Sequence, residues 1–155
     1  MPRIAVLGRT VHVFNAVVRP IRPGSDWDVR RFRPNLLLDD GQADGGFGED
    51  GLLGGRLRGR SGLELTVALP TPRCVVPTRA HEELPADPHV LRSLIEHHRI
   101  DLGPLGRQGC VGAYAEVARG GRIEVGERLE AESGETPPEE AVRSAVDRVV
   151  GLADG

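Results

Sequence analysis

Apolar and polar residues in this 155-residue chain alternate in short runs and only twice repeat at helical spacing. "RIAVL" (3–7), "VHVF" (11–14) and "LELTVAL" (63–69) read as strands. "RRFRPNLLL" (30–38) also has strand character, but its internal proline suits a sheet edge or a bulge better than a central ladder. Residues 39–62 are rich in Gly and Asp and read as one long loop. "DPHVLRSLIEHH" predicts a helix, with Asp87 as N-cap, Pro88 at the first helical position, and an apolar stripe of Val90, Leu91, Leu94 and Ile95. "GAYAEVARGGRIEVGERLEAE" (112–132) reads as a strand, a Gly-Gly turn and a second strand, with Gly126 permitting a bend. A second helix is expected over 137–152. Thr136 and Glu139 form its capping box, Pro137 opens it, and Val142, Ala145, Val146 and Val149 share one face. The pattern predicts one mostly β (α+β) domain over residues 1–155, with two helices and no repeats.

Composition narrows the function classes. Trp27 and Tyr114 are the only residues of their kinds, so the core must be built from Val, Leu, Ile and Ala. A net charge of −3 offers no footprint for nucleic acid. No apolar run approaches a membrane span and no stretch resembles a signal peptide. Two cysteines, Cys74 and Cys110, make no disulfide framework, so the chain fits a reducing, cytoplasmic setting. All 20 basic residues are arginine, mostly through compositional bias, although planar multi-donor guanidinium groups also suit anions. Without lysine, the chain cannot form a Schiff base with pyridoxal phosphate.

Some apparent motifs carry no chemistry. "GFGEDG" (46–51) has the spacing of a dinucleotide fingerprint, but no strand leads into it and no helix follows. His97 and His98 point about 100° apart on a helix and cannot easily share a metal ion. His89 and Glu96 miss the spacing of a helical zinc pair, so surface or capping roles are expected for the histidines. Cys110, at the entry to a strand, reads as a small buried hydrophobe. Cys74 differs, because in "TPRCVVPT" it follows Arg73, whose charge favours thiolate over thiol. Strand alternation would send the two side chains to opposite faces, but the prolines at 72 and 77 interrupt regular pleating.

In order, "RRFRPNLLL", "LELTVALPTPRCVVPT", "VLRSLIEHHR" and "GAYAEVARGGRIEVGERLE" resemble the MOSC domain of molybdenum-cofactor sulfurases and the amidoxime-reducing component, over roughly residues 26–132. The resemblance implies a MOSC-type β-barrel with two or more flanking helices. It implies that Cys74 is the ligand to molybdenum or the carrier of a transferred sulfur, and so the catalytic residue. It also implies that Arg33, Asn35 and Arg73 bind the molybdenum cofactor (Mo-molybdopterin), with Tyr114 at the family's later aromatic position. The competing local reading pairs Arg33 with Asp28 and uses Asn35 to close a turn. Larger relatives carry an N-terminal β-rich region that this chain is expected to lack. The implied partners are a small N-hydroxylated substrate and an electron-donor protein, or a cysteine desulfurase, or a complementary subunit. Three functions follow: molybdenum oxidoreductase, persulfide sulfur carrier, or partner-dependent fragment.

Overall fold

A computed structural model of the chain describes residues 3–6, 10–15, 24–25, 27–39, 47–134 and 143. The elements in order are β1 (Arg3–Val6), β2 (Thr10–Asn15), β3 (Leu36–Leu38), β4 (Arg56–Arg58), β5 (Glu64–Pro72), α1 (His89–His97), β6 (Arg99–Asp101), β7 (Arg107–Arg119), β8 (Gly121–Glu124) and β9 (Glu130–Glu132). Short 3-10 turns lie at Val29–Arg31, Gly48–Leu52, Val76–Thr78 and Gly103–Leu105. The fold is mostly β, with one helix among the described elements. The second helix, expected over 137–152, lies outside the described residues except for Arg143, which is helical and exposed.

The long strand β7 organises the sheet. It pairs antiparallel with β2, β5 and β6, and the strand order is β3-β2-β7-β5-β4-β9 with β6 attached to β7. Among the described strands only β3 runs parallel to its neighbour, setting Val13 opposite Leu36. Among the described residues no pairing joins β3 to β9, so the sheet is open at both ends where the resemblance implied a barrel. β8 does not fold back on β7. It pairs instead with β1 in a separate two-stranded sheet. Gly126, with φ +85°, then turns the chain towards β9, the bend its sequence position suggested.

Alternation in β5 sends Leu65, Val67 and Leu69 inward, where they are almost fully buried. Leu65 and Val67 join Leu36, Leu57, Leu63 and Ala115 in the main core. A second cluster of Trp27, Phe32, Val90, Leu94 and Val111 lies beneath α1. Val90 and Leu94 of the expected helical stripe are therefore core, whereas Ile95 is exposed. The helix begins one residue later than expected, at His89 with Pro88 in the cap position, and Asp87 Oδ1 accepts from the His89 N–H at 2.9 Å just before it.

Two expectations need correction. Residues 39–62 are not simply loop, because the Gly48–Leu52 turn and β4 lie within them. β4 has only three residues, "RLR", between glycines, too few for a clear alternation signal. Cross-strand ion pairs help to place it, Arg56–Glu64 at 3.3 Å and Arg58–Glu132 at 3.1 Å. Second, "RRFRPNLLL" is not one strand. Val29–Arg31 forms a 3-10 turn, and only Leu36–Leu38 is extended, at the sheet edge that Pro34 suggested.

Candidate functional site

Cys74 is exposed, on the segment between the end of β5 and the Val76–Thr78 turn. Pro70 and Pro72 lack N–H donors, and the β5–β7 register shifts between them. β4 pairs only with residues 64–66 of β5, so among the described residues the prolines meet no second neighbouring strand. The chain then leaves the sheet at Arg73.

Arginine side chains hold this segment on both sides of the cysteine. Before it, the Arg73 N–H donates to the Gly109 carbonyl at 2.9 Å. Arg73 Nε donates to the Val111 carbonyl at 2.9 Å, and Nη1 to the Phe32 carbonyl at 3.2 Å. Its guanidinium also lies 5.4 Å from the Phe32 ring centroid. Burial lowers the Arg73 pKa to about 10, so the group stays cationic at neutral pH. After the cysteine, buried Arg31 donates through Nη2 to the Pro85 carbonyl at 2.8 Å and through Nη1 to the Pro77 and Arg79 carbonyls at 3.4 Å. Arg31 and Phe32 therefore build the seat of the cysteine turn.

The remaining residues of that motif face outward. Arg33 and Asn35 are both exposed, Asn35 at the bend leading into β3. Arg33 does not take Asp28 as its partner in the way the local reading had it. Asp28 binds Arg30 through paired contacts of 2.9 and 2.8 Å, and that hydrogen bonding lowers its pKa to about 2. Arg33 instead stands out by its backbone, with φ +49°. A bulky residue is uncommon in the left-handed region, and Pro34 after it favours extended backbone. Such conformations concentrate where a side chain must be held in one place. Arg33→Gly is expected to raise stability by about 0.5–1 kcal/mol by removing this strain. Thermal unfolding of wild type and variant checks this, and a variant no more stable than the wild type would show that the backbone there is not strained.

Tyr114 lies half-buried on β7, packed against the cluster of Leu69, Leu102 and Cys110, within electrostatic reach of Arg73. Cys110 is fully buried there, and desolvation pushes its thiol up to about 12. The contrast between the two sulfurs is complete, one exposed on a turn and one inert in the core.

The sequence reading missed the 47–52 turn and His98. Glu49 is buried, with Oε1 accepting from the Gly112 N–H at 2.6 Å, and burial raises its pKa. Its Oε2 has no hydrogen-bond partner among the described residues. His98 Nε2 lies 2.7 Å from Asp50 Oδ2, and its ring stacks on Phe47 with centroids 3.5 Å apart. An Asp separated from a His by 48 residues leaves no sequence signal, although the "GED" triplet stood inside the dismissed glycine motif. A cleft of about 660 Å³ has Leu37, Leu52, Leu57, Leu129 and Glu49 among its walls, and Cys74 does not line it. Nor does Cys74 line a second cleft, of about 590 Å³, beside Arg60 and Arg122. The cysteine is thus an exposed group outside both clefts.

The family model for the MOSC domain matches residues 9–130. The chain belongs to the MOSC domain family. The match covers every described element except β1 and the end of β9, and includes both arginine clamps around Cys74. A search of the curated proteins finds no match to this MOSC chain. Among its described residues no helix is long and apolar enough to cross a membrane.

Proposed function

We propose that this MOSC protein binds molybdenum cofactor with Cys74 as the protein ligand, and acts as an oxidoreductase on N-hydroxylated or related small molecules. The observation that carries this reading is the exposed sulfur on a turn pinned from both sides by the Arg31 and Arg73 clamps. The residues suit such a guest. A cysteine thiolate is a soft ligand for a metal rich in sulfur donors. The exposed Arg33 offers a fork for a phosphate, and Asn35 offers a donor and an acceptor for a pterin edge. Arg73 contributes positive charge under the turn while its Nε and Nη1 hold backbone carbonyls, and Tyr114 supports that region from β7. The cofactor, when bound, supplies the redox chemistry. The chain presents the sulfur, holds the anion and keeps the turn from collapsing, with electrons delivered by a partner protein. Expressed in a host that makes the cofactor, the purified protein should carry about one molybdenum per chain. A metal-free product from that host, beside a control molybdoprotein that loads normally, would refute the reading.

Exposure also favours a second reading, a sulfur carrier. Val75 and Val76, next to Cys74, are 49% and 43% exposed, which leaves an apolar lip for a protein that must reach the sulfur. The Cys74 thiolate would attack the outer sulfur of a desulfurase persulfide. The desulfurase thiolate leaves, and Cys74 becomes the persulfide with no net change in electrons. Mass spectrometry after incubation with a desulfurase and free cysteine should then show one added sulfur that reductant removes. An unchanged mass would exclude this reading.

A further inference from the structure

Four consecutive residues of β7, 109–112, tie separate parts of the fold together. Cys110 turns both backbone groups to one edge, where its N–H donates to the His98 carbonyl at 3.1 Å and its carbonyl accepts from His98 Nδ1 at 2.6 Å. Gly112 faces the same edge and donates to Glu49. Gly109 and Val111 turn their carbonyls to the opposite edge, where Arg73 takes both. Between its pairings with β6 and β2, the strand that anchors Arg73 is therefore held from behind at Cys110 by the backbone and ring of His98, and at Gly112 by Glu49.

Both partners of the His98 ring are acceptors, the Cys110 carbonyl at 2.6 Å and the Asp50 carboxylate at 2.7 Å. A neutral imidazole has one N–H and one lone pair, so it would set that lone pair against an oxygen. The doubly protonated ring satisfies both contacts, and the Phe47 face stacked on it favours a cation. We propose that His98 is a positioning residue for the cysteine turn, an imidazolium bridge whose loss of a proton weakens the hold on the back edge of β7 at Cys110 and loosens the Arg73–Cys74 segment on its front edge.

The surrounding charges agree. The 47–52 turn brings Glu49 and Asp50 towards the ring, and both favour its charged form. Arg73 acts from the other edge of β7, and the Cys110 thiol, pushed up to about 12, stays neutral. On its own helix, His97 and Glu96 pair with each other at 3.8 Å, at the exposed surface. Burial alone would lower the His98 pKa, but the bonds to Asp50 and the Cys110 carbonyl outweigh it and hold the ring above its ordinary 6.5. A folded value above the unfolded one gives stability that is complete below 6.5 and is lost as pH rises through the folded value.

The test reads imidazole protonation and backbone order, so its outcome is separate from whether Cys74 meets a metal. Nitrogen NMR of the wild type should show His98 doubly protonated at its ordinary pKa and titrating above it. Hydrogen exchange, corrected for intrinsic rates, should show protection at 110–112 and 75–79 falling through the same titration. The fall is about tenfold for each pH unit that separates the folded and unfolded values. In Asp50→Asn the carboxamide donates to a neutral Nε2, so the titration should move down and the protection step above it disappear. His97→Gln should change nothing. A wild-type ring that is neutral at its ordinary pKa overturns the proposal without any variant. So does a protection step that is identical in Asp50→Asn, or one confined to 110–112 that never reaches 75–79.

Discussion

Cys74→Ser is expected to abolish molybdenum binding, from about one atom per chain to background, and to leave the melting temperature almost unchanged. The two halves of this result have different causes. Serine stays protonated at neutral pH and is a hard, weak ligand, so one atom decides the metal. The side chain is exposed on a turn whose hydrogen bonds come from Arg31 and Arg73, so removing the sulfur breaks none of the described contacts that hold the backbone. Cys110→Ser should behave in the opposite way. Its sulfur sits among Leu69 and Leu102 with no exposed surface, and a hydroxyl there costs about 1–2 kcal/mol while the metal is kept. Metal analysis and thermal unfolding of both variants provide the crossed comparison. Equal molybdenum in wild type and Cys74→Ser would remove the cysteine from the site. Loss of metal in Cys110→Ser without loss of stability would mean that the inner sulfur has been misread as inert.

What could be read from the sequence followed the length and regularity of its local signals. The nine-residue β5 alternates over several positions, and α1 carries a cap and a proline at its start, so both stood out in the sequence. β4 and β9 have three residues each and owe their place to pairing with distant strands, which no local pattern records. The partner of β8 was equally hidden, because a strand after a glycine turn looks like half of a hairpin whichever strand it meets. At the candidate site, the motif order singled out Cys74 and Arg73, but not how they are held. "RRFR" offers three arginines that look alike in sequence. The fold uses Arg30 for an exposed ion pair, buries Arg31 against three carbonyls, and turns Arg33 outward on left-handed backbone. Only the path of the 75–85 loop around residue 31 distinguishes them. For His98 only a surface or capping role was expected, and the Asp50 partner of its ring came from 48 residues away.

The neighbours Arg30 and Arg31 make the sharpest structural test. Arg31→Ala should lower stability by about 2–4 kcal/mol and disorder the turn that carries Cys74. Arg31 is 3% exposed, so removing it takes the donor from the carbonyl of buried Pro77 and from those of Arg79 and Pro85, whose contacts are half-buried. Each buried acceptor without a donor costs about 1–3 kcal/mol, although the two contacts at 3.4 Å are long and contribute less than the one at 2.8 Å. Prolines at two of these positions leave the loop few other ways to hold itself, since neither has an N–H to offer. Arg31→Lys should recover only part of the loss, because a single ammonium cannot span three oxygens that a planar fork reaches together. Arg30→Ala should leave the melting temperature where it is, since its bonds to Asp28 are at the surface. Functionally, Arg31→Ala should release bound molybdenum well below its own melting temperature, because the turn loosens before the sheet does. If the metal instead persists until global unfolding, the clamp serves the fold and not the presentation of the sulfur.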